Sequence, residues 1–169
     1  MSPARRTSKT DVQPRLVTLT TPKGANYPPG VMLIASPAAI AAVVEHIPRG
    51  RVLTSRALRE ALAAAYGADY TCPMTTGIFL RMAAESASAA GAGDAVPWWR
   101  VVRDDGALNE KLPGGVAGQA RQLAREGVEI PKAKKPRVAE VSALAWGVTA
   151  TARKAARTAG GAARVEEQR

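Results

Sequence analysis

The sequence predicts a mainly α fold: a winged helix-turn-helix domain with a short β-hairpin wing, flanked by basic flexible N- and C-terminal arms. Three observations predict it. Apolar residues recur at helical spacing in three successive segments, each opened by a capping residue or a proline. The run Val101-Val102-Arg103-Asp104-Asp105-Gly106-Ala107-Leu108 sets an Asp-Gly turn between apolar residues, the pattern of a tight hairpin. The excess positive charge lies at the ends: of a net +10, residues 1–30 carry +4, residues 31–130 none and residues 131–169 +6. These divisions give a basic proline-containing arm (1–30), a winged-helix domain (31–130), and a basic linker with a C-terminal amphipathic helix or tail (131–169).

Residues 1–30 hold five prolines (Pro3, Pro14, Pro22, Pro28, Pro29) and no sustained period, so an extended or disordered arm is expected. Val31-Met32-Leu33-Ile34 reads as a strand or a lead-in. Ser36 as N-cap and Pro37 at the first helical position open the first helix. Ile40, Val43, Val44 and Ile47 form its apolar face, and Pro48 stops it. His46, the single histidine, reads as a helix-terminal polar residue. Thr54 or Ser55 caps a second helix bearing Leu58, Ala61, Leu62 and Ala65, closed by Gly67. Pro73 opens a third helix with Ile78, Phe79 and Met82 on one face. The second helix of such a pair presents its first turn to DNA. Here that turn is Met74-Thr75-Thr76-Gly77, with hydroxyls, a glycine for close approach and backbone N–H groups suited to phosphate.

Gly91, Gly93 and Asp94 form a loop, and Asn109–Gly115 forms another. Val116, Ala120 and Leu123 mark a fourth helix ending at Gly127. Pro131 to Arg137 is a basic linker. Val138, Val141, Ala145, Val148 and Ala152 then suggest one more amphipathic helix, with Lys154 and Arg157 near its C-terminal end, where the dipole favours cations. Its apolar face is thin, which suits weak docking or folding on binding.

No apolar run reaches the roughly 18 residues of a membrane span, and the N-terminus leads into polar sequence rather than a signal-peptide stretch. One cysteine excludes an intramolecular disulfide. The expected setting is cytoplasmic and nucleoid-associated, with no membrane partner, no metal and no cofactor. Basic ends around a neutral domain read either as a sequence-independent grip on nucleic acid or as solubilising tails. An anionic membrane surface is a third reading. Cys72 precedes a helix N-terminus, which can activate a thiol. No histidine lies near it in sequence, and buried free cysteines are inert, so the inert reading is favoured.

The chemistry-bearing stretch is Val96-Pro97-Trp98-Trp99-Arg100-Val101-Val102-Arg103-Asp104-Asp105-Gly106. Consecutive side chains of an extended segment point to opposite faces. One indole is therefore expected to pack inward and the other to line a surface or pocket. An exposed indole beside Arg100 and Arg103 suits stacking on a base or holding a phosphate.

Pro97-Trp98-Trp99-Arg100-Val101-Val102 followed by Asp105-Gly106 resembles the active-site segment of the O6-alkylguanine-DNA alkyltransferases, which read Pro-Cys-His-Arg-Val there. It resembles still more the alkyltransferase-like proteins, in which Trp replaces the acceptor Cys. Ile47-Pro48-x-Gly50-x-Val52-x-Thr54, Gly114-Gly115 and Glu126-Gly127 match further motifs of that family in the same order. The resemblance implies a winged helix-turn-helix that enters the minor groove of double-stranded DNA and flips a guanine alkylated at O6 out of the stack. It also implies the site. Trp98, Trp99, Pro97, Pro113, Gly114 and Glu126 would form the base pocket, with Trp98 as stacking platform. Met74, Thr75, Thr76, Gly77, Arg81, Arg100 and Ser55 would meet DNA. Met74 aligns with the family's intercalating Arg and would act as an apolar wedge. Ser55 stands where the family has Tyr. Trp98 occupies the Cys position and Trp99 the His position of the Cys-His-Glu relay, so only Glu126 remains of it. An indole cannot replace a thiolate as acceptor. The expectation is a non-enzymatic marker of damage acting with a repair-system protein. Its rivals are a winged-helix module of transcription or nucleoid organisation without lesion preference, and an enzyme using Cys72 as relocated acceptor.

Overall fold

The computed structural model describes residues 12–91 and 95–167. The first eleven residues of the expected arm, and Gly93 and Asp94 of the expected loop, lie outside them. In chain order the elements begin with β1 (Arg15–Leu19), β2 (Gly30–Ile34), α1 (Pro37–Val44), β3 (Leu53–Thr54), α2 (Ser55–Tyr66) and β4 (Tyr70–Thr71). They continue with α3 (Pro73–Ala89), a 3-10 turn at Trp98–Arg100, β5 (Val101–Val102), α4 (Gly115–Arg125), α5 (Val141–Leu144), α6 (Ala150–Gly160) and β6 (Arg164–Glu167).

The four helices read from local signals form as expected. Ser36 Oγ accepts the Ala39 amide at the start of α1, and Thr54 Oγ1 accepts the Ala57 amide at the start of α2. Gly67 ends α2 in the left-handed region at φ +67°, where a residue bearing Cβ would be strained. Ile40, Val43, Val44, Leu58 and Leu62 are buried in one core with Leu33, Val52 and Leu123.

The fold is nevertheless mixed α/β rather than mainly α, and the ends are the reason. Four strands form a sheet in the order β4-β2-β1-β6. β1 runs antiparallel to β2, Arg15 opposite Ile34 and Leu19 opposite Gly30, while β6 lies parallel to β1. Part of the supposed arm is thus a strand: Val17 and Leu19 alternate inward and pack with Met32 and Cys72. The C-terminal segment is likewise no flexible arm. It forms α5 and α6 instead of one helix from residue 138, and α6 docks with Ala152 and Ala156 fully buried. A thin alanine face suffices because α1 is itself alanine-rich and Gly160 allows close approach. A Cβ at Gly160 would stand 2.8 Å from Ala39 Cβ and 3.0 Å from Ser36 Oγ. A boundary at residues 30/31 falls inside β2 and parts it from β1, and one at 130/131 would strip α6 from α1.

Two further expectations are corrected. The segment after the tryptophans is not a two-stranded ribbon. β5 pairs in parallel with β3, and Arg103 to Ala107 close a tight loop in which Gly106, at φ +82°, donates to Arg103 O at 2.8 Å. The return limb bonds elsewhere: Leu108 N–H reaches Pro136 O at 3.1 Å, so the basic linker occupies the position a second strand would need. In α3, the buried residues are Thr76, Leu80, Ala83, Ala84 and Ala87. That rotates Ile78 outward to 50% exposure.

Candidate nucleic-acid interface

Separate stretches of chain converge on one carboxylate. Glu126, whose side chain is 3% exposed, closes α4 and receives the Trp99 Nε1–H at 2.9 Å, the Gly50 amide at 3.1 Å and Arg100 Nη2 at 2.7 Å. Arg100 also donates to Ile47 O. Ile47-Pro48-x-Gly50 therefore supplies an acceptor and a donor to this cluster, and its Val52 and Thr54 bury a side chain and cap α2. Gly50, at φ +76°, turns its amide to the carboxylate. Burial pushes the Glu126 carboxyl up. The Arg100 hydrogen bonds, the Gly50 amide, the Trp99 indole and the Arg100 charge outweigh it, leaving the carboxyl below its usual 4.5. A lowered folded-state value stabilises the fold above the unfolded value and is lost as pH falls through the folded one. Thermal unfolding between pH 7 and 3 should show this acid loss, and Glu126→Gln should flatten that part of the profile. An equally steep profile in the variant would remove Glu126 from the pH response.

The two indoles do not split between core and surface. Pro97 leads them into a 3-10 turn instead of a strand, so the alternation expected of extended chain does not apply. Trp98 and Trp99 are each 4% exposed and meet edge to face, centroids 5.6 Å apart at 83°. Gln119 of α4, fully buried, holds the turn by donating Nε2 to Trp99 O at 3.0 Å and to Val101 O at 2.8 Å. Trp99 is satisfied by Glu126 and carries the Arg100 guanidinium 5.7 Å from its ring centroid. Trp98 Nε1 differs: among the described residues it is the buried side-chain nitrogen or oxygen without a hydrogen-bond partner. A buried donor left unpaired costs about 1–3 kcal/mol.

The expected DNA-facing residues are brought together only in part. An open cleft of about 670 Å³ runs between the start of α3 and the loop from Arg103 to Lys111. Ser55, Met74, Gly77 and Arg81 line it. Met74, 63% exposed, and Ile78, one turn further, form an apolar ridge along it. Arg103, Asn109 and Lys111 form the opposite wall. Arg81 Nε is paired with Glu85 Oε1 at 2.7 Å on the exposed surface. Thr75 and Thr76 do not offer free hydroxyl donors: both donate back to Cys72 O, at 3.4 and 2.7 Å. Arg100 faces inward to Glu126, which removes it as a phosphate contact. Trp98, Trp99, Pro97, Pro113, Gly114 and Glu126 do not line the cleft. The first two and Pro97 are buried, Gly114 starts α4, and Glu126 anchors Arg100. Sequence reading missed Ile78, Asn109 and Lys111 in this cleft. For Ile78 the i, i+4 spacing from Met74 was the available signal.

The α2–α3 pair lies inside an α/β domain, and its cleft sets an apolar ridge on the first two turns of α3 near the cations Arg81, Arg103 and Lys111, an arrangement that suits nucleic acid. The chain belongs to the 6-O-methylguanine DNA methyltransferase family, whose DNA-binding-domain model matches residues 36–128. Among solved structures, S. pombe Atl1 in complex with damaged DNA containing O6-carboxymethylguanine is similar to this chain. The TM-score is 0.48 at 22% identity, covering 65% of this chain and 93% of that one. No curated protein matches the chain.

Proposed function

We propose that this protein binds duplex DNA through the α3 cleft, recognises guanine alkylated at O6 by flipping it from the stack, and marks it for repair without taking the alkyl group. The observation that carries the reading is the exposed Met74–Ile78 ridge flanked by Arg81, Arg103 and Lys111. Minor-groove proteins insert such apolar side chains between base steps while neighbouring cations hold the backbone. Family membership supplies the lesion class. Absence of transfer follows from Trp98 and Trp99 at the acceptor and base positions of the family's relay, with the Trp99 indole hydrogen-bonded to Glu126. Cys72 is 3% exposed at the start of α3, with Tyr27 Oη 4.0 Å from its sulfur, which argues against a relocated acceptor.

Fluorescence titration with O6-alkylated and plain duplexes tests this. The expected result is tighter binding of the alkylated duplex, weakened about 10–100-fold by Met74→Glu. Because Met74 is exposed, the same variant should change stability by less than about 0.5 kcal/mol. Equal affinities for the two duplexes would instead support a DNA-binding module without lesion preference. Intact-mass measurement after incubation with alkylated DNA should show an unchanged protein, and a gain of one alkyl group would establish transfer.

A further inference from the structure

A positive surface that the cleft does not use lies on α6. Arg153, Lys154 and Arg157 line an open depression of about 560 Å³ together with Ala64 and Ala65 of α2 and Thr158. No carboxylate lines it, and Ala150–Gly160 contains no acidic residue. Several arginines elsewhere meet a carboxylate: Arg56 and Arg59 at Asp104, Arg81 at Glu85, Arg103 at Glu110 and Arg137 at Asp105. Among the described residues no salt bridge holds Arg153, Lys154 or Arg157. Arg153 is oriented by donating to Val148 O at 2.9 Å. The helix dipole accounts for Arg157, which sits in the last turn of α6, but not for Arg153 and Lys154 further back.

This surface is rigid, because Ala152 and Ala156 bury the opposite side of α6 against the domain. Its cations lie outside residues 36–128, so the charge is an addition to the matched family domain. It shares no lining residue with the α3 cleft. Ser55 at one end of α2 lines the cleft while Ala64 at the other end lines the α6 surface. Nine residues of helix set these about 14 Å apart along the axis. No aromatic ring lines the α6 surface, so it suits phosphates and not stacked bases.

We propose that the α6 face is a second site for the phosphodiester backbone of duplex DNA, so that one protein molecule holds two duplex segments. The first segment is the one assigned to the cleft, and to that extent the inference rests on the proposed function. Its contacts are to phosphate alone, so the second segment is held without regard to sequence or lesion.

The test uses the full chain. Protein is loaded on an immobilised O6-alkylated duplex, and capture of a second, fluorescent plain duplex is read. Wild type should capture it, with log affinity falling steeply against log salt. Lys154→Gln combined with Arg157→Gln should keep its melting temperature and bind the first duplex within about twofold. The double variant should lose at least about tenfold in capture. A variant that captures as well as wild type, or a wild type that captures nothing, overturns the proposal. So does polyglutamate binding at this face in place of DNA of equal charge, which would make it a surface for an acidic protein. Failure of the proposed function reads differently: alkylated and plain duplexes would bind alike while capture still depended on Lys154 and Arg157.

Discussion

Trp98→Ala and Trp99→Ala should each lower folding stability by about 3–5 kcal/mol, the cost of removing a large buried side chain and leaving part of its volume empty. Both rings are buried to the same degree, so truncation does not tell them apart. Their hydrogen bonding does. Trp99→Phe removes the donor to Glu126 Oε1, and a hydrogen bond to a charged group contributes about 1.5–3 kcal/mol. Trp98→Phe removes a donor that has no protein partner, so the lost packing is offset and stability should hardly change. If that donor instead serves an acceptor on a bound base, Trp98→Phe should cut the preference for alkylated over plain duplex while the protein melts normally. Urea unfolding of the four variants, followed by duplex titration of the two Phe variants, measures each term. A Trp98→Phe protein with full discrimination would exclude its indole N–H from lesion recognition.

Arg100→Ala should destabilise the fold by about 3–5 kcal/mol, because it strands a buried carboxylate whose remaining donors are neutral. Glu126 would keep the Gly50 and Trp99 N–H groups but lose the guanidinium, itself 13% exposed. The size of the loss reflects the orphaned charge and not the net value of the pair. A double variant, Arg100→Met with Glu126→Gln, removes the orphaned charge and keeps an oxygen acceptor for one of the Gly50 and Trp99 N–H groups, so it should recover part of the loss. Midpoints in urea at pH 7, with an unchanged slope, give these numbers. A loss below about 1 kcal/mol for Arg100→Ala would mean that water reaches and screens the pair. Both sets of variants act on the one polar cluster around Glu126, so their effects should not add.

The sequence by itself determined α1 to α4, because their signals are local: Ser36 and Thr54 as caps, Gly67 as a left-handed stop, and apolar residues at helical spacing. It also determined the family, since Ile47-Pro48-x-Gly50, Pro97-Trp98-Trp99-Arg100 and Glu126-Gly127 can be read in order without knowing that they meet. Their meeting at Glu126 was decided by the fold. So was the direction of the indoles: a 3-10 turn and an extended strand share the same residues, and Gln119, about twenty positions away, settles the choice. The strand in the supposed arm forms against β2, Arg15 opposite Ile34, with β6, 149 positions later, on its other edge. The thin face of α6 becomes adequate only against the alanines of α1. The cleft has the same origin. Met74 and Ile78 are visible on a helix, but Arg103, Asn109 and Lys111 become its far wall only when the linker draws their loop back beside α3. Capping and periodicity act within a few residues and so are written locally. Pairing, burial and charge neutralisation depend on partners that the chain must first bring together.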